Sequence, residues 1–100
     1  MSGTGLDLPF CIGADAPFLP GHFPGQPVVP GVVLLDRVAA AVGARHAGYL
    51  RQLAAVKFLA PLLPGQEARL VASLEGTRLR FRVERGGTII ARGEGEWEWT

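Results

Sequence analysis

Strand patterns fill the second half of the chain. Four stretches have strand character, either through alternation of apolar and polar residues or through apolar and β-branched content: residues 52–60, 67–75, 77–85 and 87–98. Alternation is clearest in residues 67–75 and 77–85, which predicts an antiparallel sheet with one apolar face and one polar face. Pro64-Gly65, Gly76 and Gly86-Gly87 separate the stretches with the spacing of hairpin turns.

The first thirty residues predict one strand and an irregular segment. Leu6, Leu8, Phe10 and Ile12 alternate with other residues, and Pro9 makes this strand an edge strand or an irregular one. Residues 13–30 hold five of the eight prolines and three glycines, too many breaks for a regular element.

A helix follows in PGVVLLDRVAAAVGARHAG, because Pro30 suits a first turn and Gly43 or Gly48 can end the helix. Apolar residues occupy nearly its whole circumference, which predicts a helix buried on most sides. Along the chain, the predicted elements are a strand, a loop, a helix and four strands. This order predicts an α+β fold in which an antiparallel sheet wraps around one central helix, as a single domain over residues 1–100.

Composition narrows the class of protein. The net charge is +1 and 48% of the residues are hydrophobic, so part of the apolar surface of so small a domain is expected in a subunit interface. Arginines cluster at 78, 80, 82 and 85, but with this mild charge we interpret them as a solvated strand face and expect no nucleic-acid partner.

Cysteine usage and hydropathy bear on location. The single cysteine, Cys11, allows no intramolecular disulfide and has no companion ligands for zinc, so we predict a small core residue and a reducing compartment. No secretory leader and no stretch long enough to cross a bilayer is present in the sequence, which favours a cytoplasmic protein.

Three residues are candidates for chemistry, each with an alternative. Asp36 lies among apolar residues, where a carboxylate is costly or protonated, although Asp36 and Arg37 could simply mark a solvated edge. His22 lies in the proline-stiffened loop and can act as a base, although a loop histidine is often only exposed. Gly31 opens the helix, where its N–H can polarise a carbonyl, although it could merely relieve crowding after Pro30.

Two stretches carry a family resemblance. GHFPGQPVVPGVVLLD resembles the H-F-P-G-x-P-x-x-P-G-V-L signature, followed by an acid, of the hotdog-fold 3-hydroxyacyl-[acyl-carrier-protein] dehydratases of the FabZ and FabA type. His22 and Asp36 stand fourteen positions apart, as in that pattern. AAVKFLAPLLPGQEARL is similar to the family's V-K-F-x-x-P-V-x-P-G-D stretch. The loop around His22 resembles FabZ-type enzymes, and an aspartate at position 36 resembles FabA-type enzymes. The short segment before His22 resembles the ApeI-type dehydratases of aryl polyene and related pathways.

The resemblance implies a mechanism without a metal or a redox cofactor. His22 would remove the α-proton of a 3-hydroxyacyl thioester, the Gly31 amide would hold the thioester oxygen, and Asp36 would protonate the leaving hydroxyl. The substrate would arrive on the phosphopantetheine arm of an acyl carrier protein. Candidate residues for an apolar acyl tunnel, each of which could equally be core, are Phe23, Val32, Val33 and Phe58.

The resemblance also implies partners. A homodimer, or a larger oligomer built from dimers, would set His22 of one chain opposite Asp36 of the other. Carrier proteins are acidic, so a basic rim is expected near the tunnel mouth, with candidates Arg45, Arg51, Lys57 and Arg82. Two other functions stay open: a hotdog acyl-thioesterase, which does not need the loop histidine, and a non-catalytic partner subunit of a dehydratase. The presence of both His22 and Asp36 argues against each.

Overall fold

The computed structural model describes residues 4–13 and 28–100, which form one helix and a five-stranded sheet. The elements in chain order are β1 (Thr4–Cys11), α1 (Gly31–Gly43), β2 (Tyr49–Phe58), β3 (Glu67–Glu75), β4 (Arg78–Arg85) and β5 (Thr88–Glu98). The strand order across the sheet is β1-β3-β4-β5-β2, and every neighbouring pair is antiparallel. The predicted α+β architecture is confirmed.

Two of the three predicted hairpin turns are present. Gly76, with φ of 59°, turns β3 into β4, and Gly86 and Gly87, with φ of 58° and 85°, turn β4 into β5. These positive φ values suit the tight turns that match the twist of paired strands.

The third prediction, a hairpin at Pro64-Gly65, is wrong. β2 pairs with β5 rather than β3, so residues 59–66 cross the sheet, because turn residues reverse the chain without fixing which strands pair.

The alternation predicted for β3 and β4 places one set of side chains in the core. Leu70, Leu79 and Ile90 have no exposed surface, and Trp97 is 2% exposed. The opposite face carries ion pairs, including Arg78 with Glu94 at 2.7 Å. Arg78, Arg80 and Arg82 therefore lie on a solvated strand face, as the sequence predicted. The prediction is wrong for Arg85, which alternates to the other face, is half-buried and donates a hydrogen bond to the carbonyl of Pro61.

Strand β1 lies at one edge of the sheet, as Pro9 predicted, but the prediction that Cys11 packs in the core is wrong. Leu6 and Ile12 take the buried side of the strand, so Cys11 falls on the exposed side. On the same side, Arg69 donates a hydrogen bond to Asp7 at 2.6 Å. That bond raises the pKa of the Arg69 guanidinium above its ordinary value.

Helix α1 is buried along one stripe, so the prediction of a helix buried on most sides is wrong for the single chain. Leu34, Val38 and Val42 form the buried stripe, whereas Val32 and Asp36 are exposed. One sheet covers one side of a helix, and the described residues place nothing over the other side. Within residues 4–13 and 28–100, no helix has the length and apolar character needed to cross a bilayer.

Candidate functional site

Among the described residues, no side chain caps the backbone donors at the start of α1. Pro30 is the N-cap in an extended conformation, it makes no side-chain capping bond, and the first turn contains no acidic residue. The carbonyl of Pro30 accepts the N–H groups of Val33 at 3.0 Å and Leu34 at 3.4 Å. The N–H groups of Gly31 and Val32 precede the first intrahelical bond and have no acceptor within residues 4–13 and 28–100, so two donors stand at the positive end of the helix dipole.

The helix start is held by the segment that follows β2. The N–H of Val29 donates to the carbonyl of Leu62 at 2.8 Å, and both side chains are buried. The ring of Phe58 lies against Gly31, where an added Cβ would stand 2.7 Å from the Phe58 Cζ atom. Gly31 therefore does relieve crowding, but the crowding comes from Phe58 rather than from Pro30, as the alternative had it. It does not conflict with a role for the amide.

Asp36 lies on the same helix, five residues after Gly31, which is about 7.5 Å along the axis. Its side chain is exposed, as is that of Arg37. In the single chain, Asp36 therefore lies on a solvated edge of the helix, which is the alternative that the sequence left open. Its carboxyl would lose contact with water only if a second chain or a substrate covered it.

Three of the predicted tunnel residues lie in the described ranges, at or beside the helix start, and of these only Val33 packs against the core. Val32 is 65% exposed, Phe58 is 50% exposed and Val33 is half-buried. The interpretation of Val32 and Phe58 as plain core residues does not hold in the single chain. His22 and Phe23 lie outside the described residues.

The four predicted basic residues separate into two groups. Lys57 lies opposite Arg92 across β2 and β5, and Arg92 lies opposite Arg82 across β5 and β4, so three cations form one row. This row borders a concavity of about 650 Å³ on the polar face of the sheet. Arg45 follows the far end of α1, and Arg51 approaches Glu98 at 3.7 Å. Sequence reasoning missed Arg92, which only strand pairing brings into the row.

Exposed apolar side chains also cluster along β2 and the segment after it, where sequence reasoning had named only Phe58. Eight large hydrophobic residues in the described part of the chain are exposed, and six belong to this region or to the adjoining start of α1: Val32, Tyr49, Leu53, Phe58, Leu59 and Leu63. We call these six residues the apolar edge. The signal in the sequence is a run of apolar residues that does not alternate between two faces.

Metal-ligating side chains do not cluster in the described ranges. Residues 4–13 and 28–100 contain no group of three or more His, Cys, Asp and Glu side chains placed to hold a metal ion.

Comparisons with known proteins find similar sequences that are named as dehydratases. The chain is 34% identical over 96 residues to the 3-hydroxyacyl-[acyl-carrier-protein] dehydratase FabZ of Herpetosiphon aurantiacus, covering 79% of this chain and 66% of that protein. It is 42% identical over 81 residues to FabZ of Thermus thermophilus, covering 80% of this chain and 49% of that protein. The chain thus spans about half to two thirds of the length of these curated relatives.

A solved structure and a family model complete the comparison. The dehydratase heterocomplex ApeI:P from Xenorhabdus doucetiae superposes with a TM-score of 0.82 at 24% identity, covering 93% of this chain and 86% of that chain, which shows a shared hotdog fold. The model of the ApeI-like family, described as ApeI dehydratase, matches residues 2–94. With a match over nearly its whole length, the chain belongs to the ApeI-like family of dehydratases.

Proposed function

We propose that the chain catalyses the reversible dehydration of 3-hydroxyacyl thioesters to trans-2-enoyl thioesters. One proton leaves the α-carbon, the hydroxyl leaves the β-carbon as water after gaining a proton, and a double bond forms between the two carbons. The reaction changes no oxidation state overall, so it needs no redox cofactor, and the acid–base roles proposed below use no metal. Membership of the ApeI-like family and similarity to FabZ enzymes support the proposal.

The proposed roles follow the motif. His22 removes the α-proton, the Gly31 amide stabilises the developing negative charge on the thioester oxygen, and Asp36 delivers the proton to the departing hydroxyl. The role of His22 rests on the motif alone. The observation that carries the assignment is the start of α1, where two N–H donors that have no acceptor among the described residues lie beside an exposed apolar surface that an acyl chain can cover.

The same proposal includes a second subunit. β2 is the other edge strand of the sheet, and the apolar edge lies along it and beside the start of α1. Stable protein interfaces bury roughly 1,200–2,000 Å² and have an apolar centre. A second copy of the chain, placed edge to edge at β2, would cover this surface and bring His22 of one chain towards Asp36 of the other. A larger oligomer could be built from such dimers.

The substrate is proposed to be bound to the phosphopantetheine arm of an acyl carrier protein, in fatty-acid or polyene-type lipid synthesis. The FabZ relatives are named for carrier-protein substrates, and the solved neighbour for a dehydratase complex with a second component. Val32, Val33, Phe58 and Phe23 stay the candidates for contact with the acyl chain. The cytoplasmic location also stays a prediction.

The direct test is incubation of the protein with 3-hydroxyacyl carrier proteins of several chain lengths, followed by mass spectrometry of the acyl group. We expect the loss of one water, with the thioester intact and with the same rate when a chelator is added. Release of free acid and of carrier protein without its acyl group would instead identify a thioesterase. If neither product forms unless a second, different hotdog subunit is added, the chain is a partner subunit.

A refolding experiment tests the shared site. His22→Ala and Asp36→Ala proteins, each expected to be inactive, are unfolded together and refolded at equal concentration. Random pairing makes half of the dimers mixed, and one of the two sites in each mixed dimer then carries both natural residues. Activity should return to about a quarter of the wild-type value per site by this counting. Inactive mixed dimers would rule out the shared site and leave the dehydratase proposal standing.

A further inference from the structure

A bulge in β2 decides which face of the sheet Phe58 occupies. Ala54 pairs with Glu94 and Lys57 pairs with Arg92, so Ala55 and Val56 together oppose the single residue Gly93. Side chains alternate between faces along a strand, and one extra residue reverses that alternation. If β2 paired regularly here, with Ala55 opposite Gly93 and Val56 opposite Arg92, Phe58 would point to the polar face and Lys57 to the helix.

The bulge is held in place on both strands. Ala55 has a φ of 54°, the only positive φ among the described residues other than glycines. An alanine there is strained, because its Cβ crowds the backbone in this left-handed conformation. Across from it, Gly93 leaves the space that the bulge needs, since an added Cβ would lie 3.0 Å from Val56 Cγ2 and 2.8 Å from Phe81 Cζ.

The consequence of the bulge is the contact between Phe58 and Gly31. The three atoms at the tip of the ring lie nearest to Gly31, at 2.7, 2.9 and 3.0 Å from the position of an added Cβ. The ring therefore points end-on at the first residue of the helix. Together with the hydrogen bond from Val29 to Leu62, this contact fixes the helix start on two sides.

We infer that Phe58 is a positioning residue for the Gly31 amide, and that the bulge at Ala55 and Val56 is the device that aims it. The inference rests on the proposed function for the role of the amide, because an oxyanion donor is effective only when it is held in place before the reaction. It assigns to Phe58 a role through Gly31, which differs from contact with the acyl chain.

The two roles predict different kinetics. If Phe58 positions Gly31, Phe58→Leu should lower kcat roughly tenfold and leave KM and the preferred chain length unchanged, because the donor acts in the transition state. If Phe58 only lines the tunnel, KM and chain-length preference should change instead, which would overturn the inference. The matched control is Ile89→Ala, because Ile89 is similarly apolar and 39% exposed and lies on the polar face.

A double-mutant cycle tests the contact itself. Gly31→Ala keeps the amide but pushes its new methyl group into the ring, so we expect kcat to fall roughly 100-fold. Phe58→Leu shortens the side chain and should relieve this clash. The double variant should then stay near the tenfold loss of Phe58→Leu, rather than the roughly 1,000-fold loss that independent effects would give. An additive result would refute the contact as a positioning device.

A measurement without turnover separates this inference from the proposed function. In ¹⁵N-labelled protein, the Gly31 amide resonance should shift and its hydrogen exchange should accelerate in Phe58→Leu, and neither should change in Ile89→Ala. The result is informative even if the wild-type protein dehydrates no substrate. An unchanged Gly31 amide in Phe58→Leu would overturn the inference while leaving dehydratase activity possible.

The bulge has its own pair of variants. Ala55→Gly keeps the bulge and removes the strain, so the midpoint of thermal unfolding should rise by ~4 °C while the Gly31 amide stays unchanged. Gly93→Ala fills the space that the bulge needs, so it should displace Phe58 and shift the Gly31 amide as Phe58→Leu does. A folded Gly93→Ala variant with a natural Gly31 resonance would show that the bulge does not aim Phe58. If this variant does not fold, the double-mutant cycle still decides the inference.

Discussion

Strands β3 and β2 are both rich in apolar residues, yet only β3 buries them. β3 lies between β1 and β4, and its residues Ala68, Leu70, Ala72 and Leu74 are all buried. β2 lies at the edge, and within it only Leu50 and Val56 are even half-buried. The two strands differ in their neighbours and in how regularly they alternate, rather than in apolar content.

This difference divides the molecule by role. The hairpins β3–β4 and β4–β5 alternate without exception until the shift after Val83, and their inner side chains form the core. The β2 edge departs from alternation at two bulges and leaves apolar surface uncovered next to the start of α1. We therefore expect substitutions in the hairpins to change stability, and substitutions around α1 and β2 to change activity or assembly.

The largest expected effect is on activity at the helix. Asp36→Asn keeps the shape of the side chain but removes the carboxylic proton, so turnover should fall by about 10²–10⁴. Because Asp36 is exposed in the single chain, the midpoint of thermal unfolding should hardly change. Asp36→Glu keeps a carboxylic proton donor and should retain more activity. If the Asp36→Asn variant turned over substrate at the wild-type rate, Asp36 would be only a solvated helix residue without a part in the reaction.

A core deletion in the hairpins should have the opposite profile. Leu79 has no exposed surface, and Leu79→Ala should lower the free energy of unfolding by about 2–5 kcal/mol through lost burial and the cavity left behind. Urea unfolding at constant pH measures this loss. At temperatures where the variant is folded, its kcat should match the wild-type value, and a large loss of kcat there would contradict the division of roles.

An edge substitution should change assembly more than folding. Leu53 on β2 is 37% exposed, and Leu53→Glu would place a charge in the proposed interface, so the dissociation constant of the dimer should rise at least roughly tenfold. Sedimentation at several concentrations measures it. Ile89→Glu is the control, with 39% exposure on the polar face. Equal effects of the two substitutions would place the interface elsewhere.

The smallest effect is expected on the polar face of the hairpins. Glu94 approaches Arg78 at 2.7 Å and Arg80 at 3.6 Å, but all three side chains are more than a third exposed. Glu94→Gln should therefore cost less than about 1 kcal/mol of unfolding free energy, and high salt should reduce the difference. Unfolding curves at low and high salt measure this, and a loss comparable to that of Leu79→Ala would mean that these ion pairs support the fold.

Much of the fold was predictable because its signals are local. Alternation with a period of two located β3 and β4, glycines at Gly76 and Gly86-Gly87 located their turns, and Pro30-Gly31 located the start of α1. The spacing of His22 and Asp36 in the family motif identified the dehydratase family before any coordinates. Each signal depends on residues close together in the chain, so one sequence was sufficient.

Only the tertiary structure decided which strands pair and which face each residue takes around β2. Pro64-Gly65 looked like a hairpin turn, yet β2 pairs with β5, and that pairing brings Arg92 between Lys57 and Arg82. Pairing depends on residues far apart in the chain, which local patterns do not encode. A single bulge residue reverses every later side chain in a strand, so the contact of Phe58 with Gly31 follows from the backbone at Ala55 and not from periodicity.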